Sequence, residues 1–122
     1  MLLAWRDPAL EQTCSSSDAI ELRWPQSADA VRRLLWTIKH CRDLAALLRH
    51  PSVMVTTGSH GAETSLSVQT RRAGMRAMAL TRTGEVLGIV EADQLLRHAN
   101  TTTALLVADL MAEGFSSLRE AI

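Results

Sequence analysis

The 122-residue sequence predicts an α+β domain: an antiparallel β-meander over about residues 52–91, with a long amphipathic helix before it and two short helices after it. Three observations predict this. Val31, Leu34, Ile38, Cys41, Ala45 and Leu48 recur in steps of three and four, so they share one face of a helix. From residue 52 the apolar period shortens toward two, and glycine-bearing turns separate the runs. After Glu91 helical spacing returns. Apolar residues make up 47% of the chain and charged residues 21%, enough core formers for one folded domain of this length.

Residues 1–26 read as an irregular N-terminal segment. Within it Met1–Trp5 suits a short strand and Pro8–Cys14 a turn or two of helix, and Ser15–Asp18 is a polar connector. The helix of residues 27–50 has Ser27 as its N-cap and Asp29 in its first turn. Arg49 and His50 suit its C-terminal end, and Pro51 stops it. Four strands follow at Val53–Val55, Ser65–Val68, Met75–Leu80 and Val86–Val90. Their turns are Gly58–Gly61, Arg71–Gly74 and Thr83-Gly84. Thr64–Ala73 also admits a helix, should tertiary contacts override its serine and β-branched content. Residues 92–122 read as a helical tail. Glu91–His98 forms one helix, Ala104–Glu113 a second that Gly114 ends, and Ser117–Glu120 has the spacing of a capping box.

Charge and composition narrow the function. Thirteen Lys and Arg cancel thirteen Asp and Glu, there is no Tyr and only one Phe, so a nucleic-acid partner is not expected. No run approaches the ~20 apolar residues of a membrane span, and Met1–Trp5 is shorter than the ~7–15 apolar residues of a secretion signal. A cytoplasmic protein without membrane contact is expected. Cys14 and Cys41 form no C-x-x-C motif and the four histidines are scattered, so neither metal nor cofactor is expected. Gly58-Ser59-His60-Gly61 followed by Glu63 holds the residue types of a Ser–His–acid set. Adjacent Ser and His cannot easily bond one another, however, so no residue is assigned a catalytic role there. Arg71, Arg72, Arg76 and Arg82 face only Glu63 and Glu85 within residues 51–90, a local charge of +2. Residues 91–122 carry −3, from two Arg against five acids. An acidic partner, a phosphate or the chain's own acidic tail would match the positive region.

Two partial resemblances go further. Gly84–Leu96, GEVLGIVEADQLL, resembles the end of a cystathionine-beta-synthase (CBS) domain, where a hairpin runs through G-I-V into a helix. Leu48–Val55 looks like the opening strand of such a domain, and Val107–Met111 with Ser117–Ile122 looks like the start of a second copy. The resemblance spans about residues 46–122. It implies a non-enzymatic regulatory module that binds an adenine nucleotide or another small ligand and pairs with a second copy, as a homodimer. Glu91, Asp93, Arg76 and Arg82 are the ligand-binding candidates. Glu91 stands where that family carries Ser or Thr, and Gln94 where it carries a ribose-binding Asp. A helix over Thr64–Ala73 belongs to this reading, whereas a strand belongs to the meander.

In order of elements, residues 1–92 are similar to RelE/ParE/HigB-type toxins: a short strand, helices, then a meander. That resemblance implies a toxin–antitoxin component acting on RNA, with Arg76, Arg82 and His60 stabilising phosphoryl-transfer charge. A third class rests on the helix stripe alone. A small homodimeric adaptor or secretion-chaperone-like protein would bury Val31, Leu34, Leu35 and Ile38 against a partner.

Overall fold

The computed structural model describes residues 1–60, 63–89 and 91–112. The chain opens with strand β1 (Leu2–Trp5) and four helices, α1 (Pro8–Cys14), α2 (Ser17–Arg23), α3 (Ala28–His40) and α4 (Leu44–Leu48). Strands β2 (Met54–His60), β3 (Glu63–Gln69), β4 (Ala73–Leu80) and β5 (Val86–Leu87) follow, then α5 (Ala92–His98), a 3₁₀ turn at Ala99–Thr101 and strand β6 (Ala104–Ala112). The α+β class is as the sequence predicts.

The first 26 residues are more regular than expected because each short helix is capped. Asp7 accepts from the Ala9 N–H at 2.9 Å and Pro8 opens α1, whereas Ser16 accepts from the Ala19 N–H at 3.1 Å to open α2. The stripe of residues 27–50, read as one helix, is two. Cys41 is extended, and Asp43 starts α4 by accepting from the Ala46 N–H at 2.9 Å. The Met1 ammonium donates to the carbonyls of Ile38, Lys39 and Cys41, and the Leu44 N–H bonds Thr102 O at 2.9 Å. These partners satisfy groups that a continuous helix would have bonded internally.

The sheet runs β1-β6-β4-β3-β2, with β5 paired to the end of β4. Of Thr64–Ala73, the stretch open to two readings, residues 64–69 lie in β3, which pairs antiparallel with β2 and β4, residues 70–72 form the turn and Ala73 opens β4. Strands β2, β3 and β4 form an antiparallel meander, but the fourth expected strand does not extend it: two-residue β5 pairs Ala79 and Leu80 on the same edge of β4 as β3, because β6 takes the opposite edge. The helix expected over Ala104–Glu113 is instead β6, which sits between β1, its parallel neighbour, and β4, its antiparallel one. Leu105 and Val107 alternate inward, then a register shift near Arg76/Ala77 moves the next inward residue to Leu110. That step of three imitates a helix in the sequence. A bulge is its actual cause. Val90, Gly114 and Ser117–Ile122 lie outside the described residues.

All five α-helices among the described residues contribute to one apolar cluster on a single face of the sheet. Leu66, Val68, Met75, Ala77, Leu105, Val107 and Leu110 supply the sheet side of it. Val31, Leu34, Leu35 and Ile38 supply the centre of the helix side. Among the described residues no helix is long and apolar enough to cross a membrane.

Candidate functional site

The residues picked out from the sequence are dispersed in the fold. Val31, Leu34 and Ile38 are fully buried and Leu35 nearly so, all inside the chain's own core. This corrects the expectation of a partner-binding stripe: the sheet already covers these side chains, and exposed area is what a partner would need. Glu91 and Asp93 open α5. The Glu91 N–H donates to Gln94 Oε1 at 3.1 Å in a capping box, and Asp93 pairs with Arg97 at 3.4 Å, one turn on. Both acids are exposed and serve the helix that holds them. Arg82 lies exposed in the β4–β5 turn, where Gly84 takes φ +86° and the Thr81 N–H bonds Glu85 O at 2.8 Å. Among the described residues no hydrogen bond or ion pair joins Glu91, Asp93, Arg76 or Arg82 to another of the four. Gly61 lies outside the described residues, as do the side chains of Ser59, His60 and Glu63.

Arg76 has a different setting. It sits midway along β4 on the face of the sheet turned away from the helices, in a cross-strand row Asp109–Arg76–Ser67–Thr56. An apolar row, Ala4–Leu106–Met78, flanks it on one side, and a row of Met111, Gly74, Gln69 and Met54 on the other. None of these residues belongs to the core cluster. The side chain is half-buried, and its Nε is buried without a hydrogen-bond partner among the described residues. Such a group costs stability where it stands and gains on meeting an acceptor.

A second feature was not singled out from the sequence. α3, the α4–β2 connection and the β3–β4 turn enclose an open groove of about 1480 Å³. Its cations come from two places in the chain, Arg32 and Arg33 on α3 and Arg71 and Arg72 at the tip of the β3–β4 hairpin, and His50 after α4 also lines it. The hairpin closes through the Thr70 N–H to Ala73 O at 2.8 Å, which projects the two arginines beyond the sheet. Arg32 is already neutralised, bonding Glu21 at 2.6 Å and Asp29 at 2.8 Å. Arg33 and Arg71 have no ion pair among the described residues. Trp36, 60% exposed, lines the groove with one ring face stacked on His40 at 4.1 Å. The signal for this groove was present in the sequence as the Arg71-Arg72 pair and as Arg33 and Trp36 on the polar side of the α3 stripe.

Burial pushes the Cys14 thiol up to about 11, against a smaller pull from Lys39, and raises Cys41 as well. Neither is poised as a thiolate nucleophile. Among the described residues no three His, Cys, Asp or Glu side chains gather as a metal site requires. No family model, curated protein or solved structure matches this chain.

Proposed function

We propose that this chain is a toxin–antitoxin component built on the RelE/ParE/HigB-type plan. One observation carries the reading: residues 63–69 form strand β3. The chain thus runs from a short strand through helices into a meander, the order that resemblance implies, whereas the CBS-like reading calls for a helix at this place. Arg76 is the residue assigned to the chemistry. A guanidinium fixed in mid-sheet, with an unpartnered Nε and a face free of described helices, suits stabilisation of charge on a phosphoryl group. The neutral net charge gives little non-specific affinity for RNA, so the activity depends on local contacts more than on long-range attraction.

Induced expression in a bacterial host tests this reading. The wild-type chain arrests growth, Arg76→Ala, which removes one charge-stabilising donor, relieves the arrest by about tenfold or more in colony count, and both accumulate as folded protein. Unimpaired growth with abundant folded wild-type protein would remove the reading.

The groove favours a second reading, a non-enzymatic interaction module. Regulation by a small ligand at Glu91 and Asp93 has less support, since both acids serve their own helix.

A further inference from the structure

We propose that the groove between α3 and the β3–β4 hairpin binds a short acidic polypeptide segment of a partner protein, with an apolar side chain placed against Trp36. The inference rests on the interaction-module reading and is independent of any chemistry at Arg76.

Charge complementarity identifies the occupant. Arg33 and Arg71, with no ion pair among the described residues, bring two cations to the groove beside Arg72, and the one acid among its described lining residues, Asp29, is bound to Arg32. Guanidinium groups pair with carboxylates in bidentate geometry, so alternating carboxylates along an extended segment match arginines projecting from two separate elements. At about 1480 Å³ and open to solvent, the groove exceeds the ~300–1,000 Å³ of an ordinary small-molecule pocket. It fits a length of chain better than one metabolite. The rest of the molecule carries no excess positive charge to hold a long polyanion, and Glu21 and Asp29 stand beside the Arg32 end. A segment of mixed acidic and apolar residues meets neither obstacle.

Trp36 supplies the anchor. Stacking on His40 covers one face of the indole, and the His40 Nδ1 lies 2.8 Å from Trp36 O, so the ring is held in place before any ligand arrives. Little side-chain entropy is then lost on binding. Exposed aromatics beside arginines are the residue types that dominate binding energy at protein interfaces.

Tryptophan emission tests the proposal, because Trp24 is buried, Trp5 is half-buried and Trp36 is exposed. Subtracting the Trp36→Phe spectrum isolates Trp36. Two probes are compared at low salt: short poly-L-glutamate and a glutamate–leucine co-peptide. Both shield Trp36 from acrylamide quenching, the co-peptide more strongly, and added salt weakens the effect. In the Arg33→Glu/Arg71→Glu double variant, with an unchanged melting midpoint, affinity falls by about tenfold or more. The same variant still arrests growth where the wild type does, which separates failure here from failure at Arg76. Absence of shielding at millimolar peptide, equal shielding in the double variant, or stronger shielding by poly-uridylate than by either peptide would each overturn the proposal.

Discussion

The two faces of one sheet divide the work of this molecule. On the inner face Leu66, Val68, Met75, Ala77, Leu105 and Val107 are almost wholly removed from water beneath the helices. On the outer face the alternate residues of the same strands are Ser67, Arg76, Leu106, Met111 and the buried Met78, and β2 adds the 64%-exposed Met54. Because side chains alternate along a strand, a substitution on one face leaves the packing of the other largely alone. Stability is concentrated on the inner face, which frees the outer face to carry a group as costly as the unpartnered Arg76 Nε.

The largest expected effect tests that division directly. Leu34→Ala, at the centre of the helix layer, lowers the unfolding free energy by about 3–5 kcal/mol. Met54→Ala on the outer face changes it by less than about 0.5 kcal/mol. Urea denaturation of the two variants checks this, and equal losses would mean that the faces are not distinct.

Next in size is a pH effect seated in the helix layer. The unfolded chain ionises Cys14 near its ordinary value of 9.0, whereas burial keeps the folded thiol protonated to about 11. Between these values the unfolded state binds fewer protons, so stability falls as pH rises, by up to about 2–3 kcal/mol. With no Tyr and a single Lys in the sequence, few other groups titrate in this range. Cys41, also raised by burial, acts in the same direction. Urea midpoints of wild type and Cys14→Ala across the alkaline range measure the effect, and parallel curves would exclude it.

The smallest expected effect sharpens the comparison within the helix layer itself. Asp43→Ala removes the acceptor of the Ala46 N–H and costs about 1 kcal/mol, whereas Ser27→Ala, at a position with no side-chain cap bond, costs less than about 0.5 kcal/mol. Thermal melts of the pair distinguish a cap made by Asp43 from one made at Ser27.

The sequence was most legible where local chemistry and tertiary packing agree. The α3 stripe, the strands around Leu66 and Met75, and the start of α5 at Glu91 all carry their period openly. It misled where long-range contacts decide. The break at Cys41–Asp43 depends on the Met1 ammonium and on Thr102, neither of them near in sequence. The bulge in β6 turned a strand's alternation into a helix's spacing. The partner-binding stripe failed for a related reason, since periodicity reveals that a face is buried but not which surface covers it. The groove was hidden because its cations are separated by the whole length from Arg33 to Arg72, and only the β3–β4 hairpin returns them to α3.

The place of β6 has a consequence for synthesis. This strand is made after every other described element, yet it lies inside the sheet, with Leu2–Trp5 on one side and Ala73–Ala79 on the other. A nascent chain therefore cannot complete its sheet when β4 emerges from the ribosome. The edges of β1 and β4 stay unpaired until residues 104–112 arrive, and pairings over such sequence distances are slow to form. During that interval the half-made sheet is exposed to aggregation, and a chaperone or a partner that shields the edge of β4 would act earliest there.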